Sequence, residues 1–159
     1  GYGVTLGTWF HSGAIPSEIS AVGWGSEGLE VDEHSVTIAK YPKGLSKFET
    51  RWGTFTDPWT HQPQPKCGFV ITGSKGTIAS YDYEPSVRIQ TAAYPEGQLI
   101  PVDTLPFEAS NPIAYFIDRL EQGLAPEGPL GVEMARIGQQ IVDTAHASAR
   151  EKRVLSLLQ

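Results

Sequence analysis

Apolar positions change their spacing twice along the chain. Over Tyr2 to Phe10, Val4, Leu6, Trp9 and Phe10 recur at helical intervals until Gly13 and Pro16 end the pattern. Seven segments follow that are rich in β-branched and aromatic residues and separated by turn formers: Glu18 to Val22, Val31 to Tyr41, Leu45 to Phe55, Lys66 to Thr72, Thr77 to Tyr83, Val87 to Ala93 and Gln98 to Val102. Their alternation and short spacing predict a meander of strands. On the third, Ser46, Phe48, Thr50 and Trp52 share one face while Lys47, Glu49 and Arg51 share the other, so solvent, a subunit or a substrate meets that polar side. Between Ile71 and Thr77, Gly73-Ser74-Lys75-Gly76 supplies glycines where a tight hairpin needs positive φ, which predicts an antiparallel join. In the last third the helical period returns. Asn111 is placed to cap a helix that starts at Pro112, carries Ile113, Phe116, Ile117 and Leu120 on one stripe, and stops at Gly123. A Pro/Gly-rich link, Ala125 to Gly131, leads to a longer helix ending near Arg150, with Met134, Ile137, Ile141 and Ala145 as its buried edge, and Val154 to Leu158 closes as a strand. Strands followed by helices predict an α+β fold: an open, mostly antiparallel sheet with helices packed on one face and the other face available for oligomerisation.

Composition narrows the classes of function. With 159 residues the chain is expected to form one domain, and 40% hydrophobic with 19% charged residues is the balance of a folded globular protein. A net charge of -6 argues against a nucleic-acid partner, which needs clustered cations. The one dense basic group, Arg150, Lys152 and Arg153, falls at a predicted helix end, where cations offset the macrodipole. No apolar run reaches the roughly 20 residues of a membrane span, and nothing near the start resembles a secretory signal, so a cytoplasmic protein without membrane contact is expected. Because the chain opens at Gly1 rather than Met, it is expected to be a fragment, and any upstream targeting signal lies outside it. Cys67 is the only cysteine; beside Phe69, Val70 and Ile71 it is expected to be a buried thiol, with neither a disulfide nor a four-cysteine metal site.

Several motifs dissolve when weighed against their context. Gly23-Trp24-Gly25-Ser26-Glu27-Gly28 matches the dinucleotide fingerprint letter for letter, but that fingerprint works by presenting a pyrophosphate to a helix N-terminus. Here Val31 to Ile38 follows, β-branched and carrying Asp32 and Glu33, so a loop between strands is expected and no cofactor-binding residue is assigned. Gly73 to Gly76 lacks the Lys-Ser or Lys-Thr of a phosphate loop. His11, His34, His61 and His146 are scattered at no metal-ligand spacing, so no metal is expected. The run from Arg51 to His61 holds Trp52 and Trp59 with Arg51, Asp57 and His61 in a Pro-bearing loop, the flat faces and hydrogen-bonding groups that a sugar site uses. The plainer reading makes the two tryptophans core or interface residues.

Taken in order, four stretches resemble the glucose-fructose oxidoreductase and inositol dehydrogenase family. Tyr2-Gly3-Val4, opening a helix, is similar to the end of its Asp-x-Gly-x-Tyr (or His) catalytic motif. Phe69 to Ile78 resembles its strand, Gly-x-x-Gly turn and strand. Asn111-Pro112-Ile113 with Phe116-Ile117, and the helix ending Ala145-His146-Ala147-Ser148-Ala149, resemble its closing helices, and Val154-Leu155-Ser156-Leu157 its last strand. The resemblance implies a C-terminal domain of the dihydrodipicolinate-reductase-like type, which supplies one wall of the active site and a sheet face for a homo-oligomer, in an enzyme whose N-terminal Rossmann domain holds NAD or NADP and is missing from this chain. It implies hydride transfer to or from a sugar, polyol or related carbohydrate, with Tyr2 as the one catalytic residue carried over; Arg51, Trp52, Trp59 and His61 are expected toward the substrate from the character of their own segment. The motif's Asp falls four residues before Tyr2, upstream of Gly1, and alone the chain is expected to be inactive. The alternative is a free-standing β-rich carbohydrate-binding or scaffold module with Trp52 and Trp59 as its platform.

Overall fold

Each predicted helix forms, with its ends set by the residues that suggested them. The computed structural model describes residues 1–53, 61, 64 and 66–158. Helix α1 spans Tyr2–Phe10, α2 Pro112–Glu121 and α3 Val132–Glu151. The strands are β1 (Glu18–Trp24), β2 (His34–Tyr41), β3 (Gly44–Arg51), β4 (Gly68–Gly73), β5 (Gly76–Tyr81), β6 (Ser86–Thr91), β7 (Tyr94–Pro101) and β8 (Leu155–Ser156). Asn111 caps α2 through its side-chain oxygen, which accepts from the Ala114 amide at 2.9 Å, and Pro112 fills the first turn, where its missing N–H costs nothing. At the end of α1, Ser12 and Gly13 adopt positive φ and turn the chain away. Two compact units result, one of Gly1–Gly53 with Phe107–Gln159, the other of Thr54–Pro106.

In the first unit β3, β2, β1 and β8 form a four-stranded sheet in that order, antiparallel throughout. Alternation along each strand gives the sheet a helix side and an open side. Toward the helices point Ile19 of β1, Ala39 and Tyr41 of β2, and these pack with Val4 of α1 and Ile137, Ile141 and Ala145 of α3 into one buried cluster. Polar groups inside it are paired. The Ser148 hydroxyl donates to the Arg153 carbonyl at 2.7 Å and accepts the Ala21 amide at 3.0 Å, while Thr144 donates to the Gln140 carbonyl and accepts the Leu158 amide. Helix α1 approaches β3 so closely that a methyl group on Gly7 would collide with the Phe48 ring. The apolar stripe of α2 behaves differently: Ile113, Phe116, Ile117 and Leu120 are all exposed, since α2 packs chiefly on the short 3₁₀ turn Phe107–Ala109.

The second unit is a meander, β4-β5-β6-β7, again antiparallel. Its register aligns Ile71, Ile78 and Ile89 on one face, where a shallow, largely apolar hollow of about 390 Å³ opens at the β4–β5 turn. Among the described residues the strands thus form two four-stranded sheets. In the β4–β5 hairpin Gly73 pairs directly with Gly76 across a two-residue turn; neither turn residue, Ser74 or Lys75, has positive φ, whereas Gly76 does, at 159°. Gly76 is also required by its neighbour, because a side chain there would run into the Gln90 carbonyl of β6. Cys67 is exposed rather than buried: it precedes the first residue of β4, so the apolar run that follows it is on the strand while the thiol is not.

Candidate functional site

The register of β1, β2 and β3 brings Gly23, Ser35 and Thr50 into one row on the helix side of the sheet. The preceding row, Ala21, Thr37 and Phe48, is covered: α3 reaches it through Ser148 and α1 through Gly3, whose added methyl would lie 3.6 Å from the Phe48 ring. One row further along, Gly23 and Thr50 are exposed and Ser35 half-buried. Both helices thus stop short and leave a polar ledge at the end of the sheet. On it the Ser35 and Thr50 hydroxyls bond to each other at 2.6 Å; of their two protons one is used between them, and one is left to donate.

Asp32 lies over Gly23. A methyl group there would come within 2.5 Å of a carboxylate oxygen, so the missing side chain is what makes room for the acid. That carboxylate has no hydrogen bond or ion pair among the described residues, whereas its neighbour Glu33 is fully engaged: its carboxylate accepts from the Ser26 amide at 2.6 Å and from the Ser26 hydroxyl, its amide donates to the Trp24 carbonyl at 2.8 Å, and its carbonyl accepts the Trp52 amide at 3.1 Å. Glu33 therefore fixes the loop that presents Asp32. Trp52 closes the ledge. Its indole N–H donates to the Asp32 carbonyl at 3.2 Å, which satisfies the ring's one donor and leaves its exposed face available for stacking.

Helix α1 runs antiparallel to β3, since His11 lies at Ser46 and Gly44, Gly7 at Phe48 and Ser46, and Gly3 at Phe48. Its first residue, Tyr2, therefore sits at the Thr50–Trp52 end, with the side chain 92% exposed. Of the residues singled out from sequence, Trp52 borders the ledge, and Tyr2 opens the helix whose start faces that end of β3. Arg51 does not border the ledge: it shares the open side with Lys47 and Glu49, in a row with His34 and Trp24. On that side Glu49 bonds Lys47 at 3.0 Å and His34 at 3.1 Å, and these two bonds, Lys47 first, hold its carboxyl below the usual glutamate value. His61 is an exposed residue of the second unit, and Trp59 lies outside the described residues. Sequence reasoning passed over Asp32, Ser35 and Thr50, because only the register shows that they adjoin.

The fingerprint-like glycines lead from β1 to β2 with no helix after them, so this loop offers no helix N-terminus to a pyrophosphate. Among the described residues no group of His, Cys, Asp and Glu could hold a metal ion, and no helix is long and apolar enough to cross a membrane.

No protein-family model matches the sequence, and no curated protein does. Solved structures match along almost the whole chain. An oxidoreductase from Agrobacterium radiobacter, crystallised with NAD+, L-tartaric acid and magnesium, superposes with a TM-score of 0.68 at 16% identity over 96% of this chain and 46% of its own. A levoglucosan dehydrogenase in complex with NADH and levoglucosan gives 0.70 at 16% over 98% and 48%, and an oxidoreductase domain protein from Kribbella flavida 0.69 at 19% over 98% and 48%. The fold is the one found in about half of each of these oxidoreductases. The chain spans about half the length of these oxidoreductases, the first of which is covered over 46%. The α+β reading and the expected family resemblance hold at the level of fold, with antiparallel sheets and three helices in the predicted order.

Proposed function

We propose that this chain is the substrate-side domain of an NAD(P)-dependent oxidoreductase that acts on a sugar, polyol or related carbohydrate. The observation that carries the reading is a superposition over 96% of the chain on roughly half of an NAD+-bound oxidoreductase, joined to a ledge whose groups suit a polyhydric substrate. Indole faces stack on sugar C–H surfaces, hydroxyls and a carboxylate exchange hydrogen bonds with sugar hydroxyls, and a phenol at the rim donates to a developing alkoxide. In this reading the cofactor is held mainly by a nucleotide-binding domain outside the chain, and the isolated chain is inactive. The enzyme is a cytoplasmic homo-oligomer that associates through the open side of the β3-β2-β1-β8 sheet, where Val22, Trp24, Ile38 and Leu45 are exposed.

Tyr2 is the residue on which the reading is tested. Tyr2→Phe keeps the ring and removes only the hydroxyl, so in the complete enzyme it is expected to lower kcat on the best neutral polyol by about 10² or more with cofactor affinity unchanged. Steady-state measurement of NAD(P)H formation checks this. Absence of any polyol-dependent NAD(P) reduction by the complete enzyme would sink the reading; near wild-type kcat in Tyr2→Phe would remove Tyr2 from the chemistry.

A further inference from the structure

We infer that Asp32 is a specificity-determining residue, whose carboxylate, with the Ser35–Thr50 hydroxyl pair and the Trp52 face, takes adjacent hydroxyls of a neutral polyol and turns away acidic sugars. The inference rests on the reading of the chain as a substrate-side domain and goes beyond it by naming the selecting group.

Three observations converge on it. The carboxylate is held without being used: Gly23 leaves the space it occupies, Glu33 ties down the loop on either side, and no partner among the described residues competes for its oxygens. Its neighbours are complementary. A carboxylate only accepts, the hydroxyl pair has one proton left to give, and the indole has spent its single donor on the Asp32 carbonyl, so the ledge has acceptors, one donor and a flat apolar face. The row also carries no cation. Arg51 and Lys47 of β3 point to the other side of the sheet, so among the described residues no lysine or arginine of these three strands pairs a ligand carboxylate placed beside Asp32. Vicinal hydroxyls give a carboxylate two charge-assisted bonds, and a neutral sugar brings a C–H face for Trp52 as well.

The test titrates the 159-residue chain with D-glucose and D-glucuronate, which differ by one carboxylate, while following the amide signals and the Trp52 indole N–H signal by NMR. Glucose is expected to shift the Trp52 indole and the Ser35 and Thr50 amides, and glucuronate to leave them in place. Asp32→Ala is expected to weaken glucose binding by about tenfold or more, the effect of losing a charge-assisted hydrogen bond. Gly23→Ala serves as the second variant, because its methyl displaces the Asp32 side chain alone and leaves the acid in the sequence; it is expected to weaken binding in the same way. Equal glucose affinity in wild type, Asp32→Ala and Gly23→Ala would overturn the role of Asp32 and leave the substrate-side reading standing. Glucuronate binding as tightly as glucose would overturn the selection. If neither sugar moves these signals, the inference fails, and the oxidoreductase reading is still judged separately by cofactor reduction in the complete enzyme.

Discussion

His11, at the C-terminal end of α1, lies flat on the Tyr41 ring with centroids 4.0 Å apart, and its Nε2 is 3.2 Å from the Ser46 hydroxyl. Beneath it Thr8 donates to the Val4 carbonyl at 2.8 Å, which uses its only proton, so Tyr41 must donate in the 2.9 Å bond between the two hydroxyls. Burial lowers the His11 pKa from 6.5, the sense expected when a base is partly withdrawn from water. A base with a depressed folded pKa binds its proton first in the unfolded chain. Its contribution is therefore complete above 6.5, declines as the pH falls below that value, and levels off beneath the lowered one. The urea midpoint of the wild type is expected to drop between neutral and mildly acidic pH by more than that of His11→Gln, and equal drops would show that His11 is not the group responsible. At this scale the sequence misleads in a specific way. The spacing of His11, Tyr41 and Ser46 gives no hint that they touch, and Asp32 reads as a reason to reject a motif rather than as part of a site.

Elements were more legible than residues, because their ends are set by local chemistry. Asn111-Pro112 and Gly123 bracket α2 as read, and glycines mark both ends of the β4–β5 hairpin. Less legible was what each element would bury, which depends on partners far away in sequence: the stripe of α2 meets little in this structure, and the strand face with Phe48 meets α1 only because Gly7 permits the approach. Removing the cap isolates the local term. Asn111→Ala is expected to cost about 1 kcal/mol, confined to α2. Since α2 packs chiefly on the Phe107–Ala109 turn, hydrogen exchange at Ala114 and Tyr115 should speed up while the global urea midpoint scarcely moves; a large shift of that midpoint would mean that α2 is bound into the core after all.

Across the molecule, the α+β class and the strand-then-helix order follow from periodicity, whereas the division into two sheets does not. Strand content can be read from alternation, but which strands pair is decided by non-local register. The same limit applies to the ledge, whose row of Gly23, Ser35 and Thr50 exists only once β1, β2 and β3 are aligned. The open side of that sheet presents Val22, Trp24, Ile38 and Leu45 among paired charges, Glu18 with Lys40 and Glu49 with Lys47. If a second copy covers it, light scattering should report a dimer or larger, and Ile38→Glu should shift the population to monomer. A wild-type chain that stays monomeric at high concentration would count against the face as an interface.

The bond between the Ala21 amide and the Ser148 hydroxyl joins positions 127 residues apart, and β1 gains its last neighbour only when β8 arrives. The order of synthesis is therefore not the order of completion. A chain emerging from the ribosome can close the β4–β7 meander, whose pairings are all between consecutive strands, while Ile19, Ala39 and Tyr41 still wait for Ile137, Ile141 and Ala145. Until α3 is made, β1, β2 and β3 lack the cover it gives their apolar side, and the polar ledge at their end forms part of no finished layer.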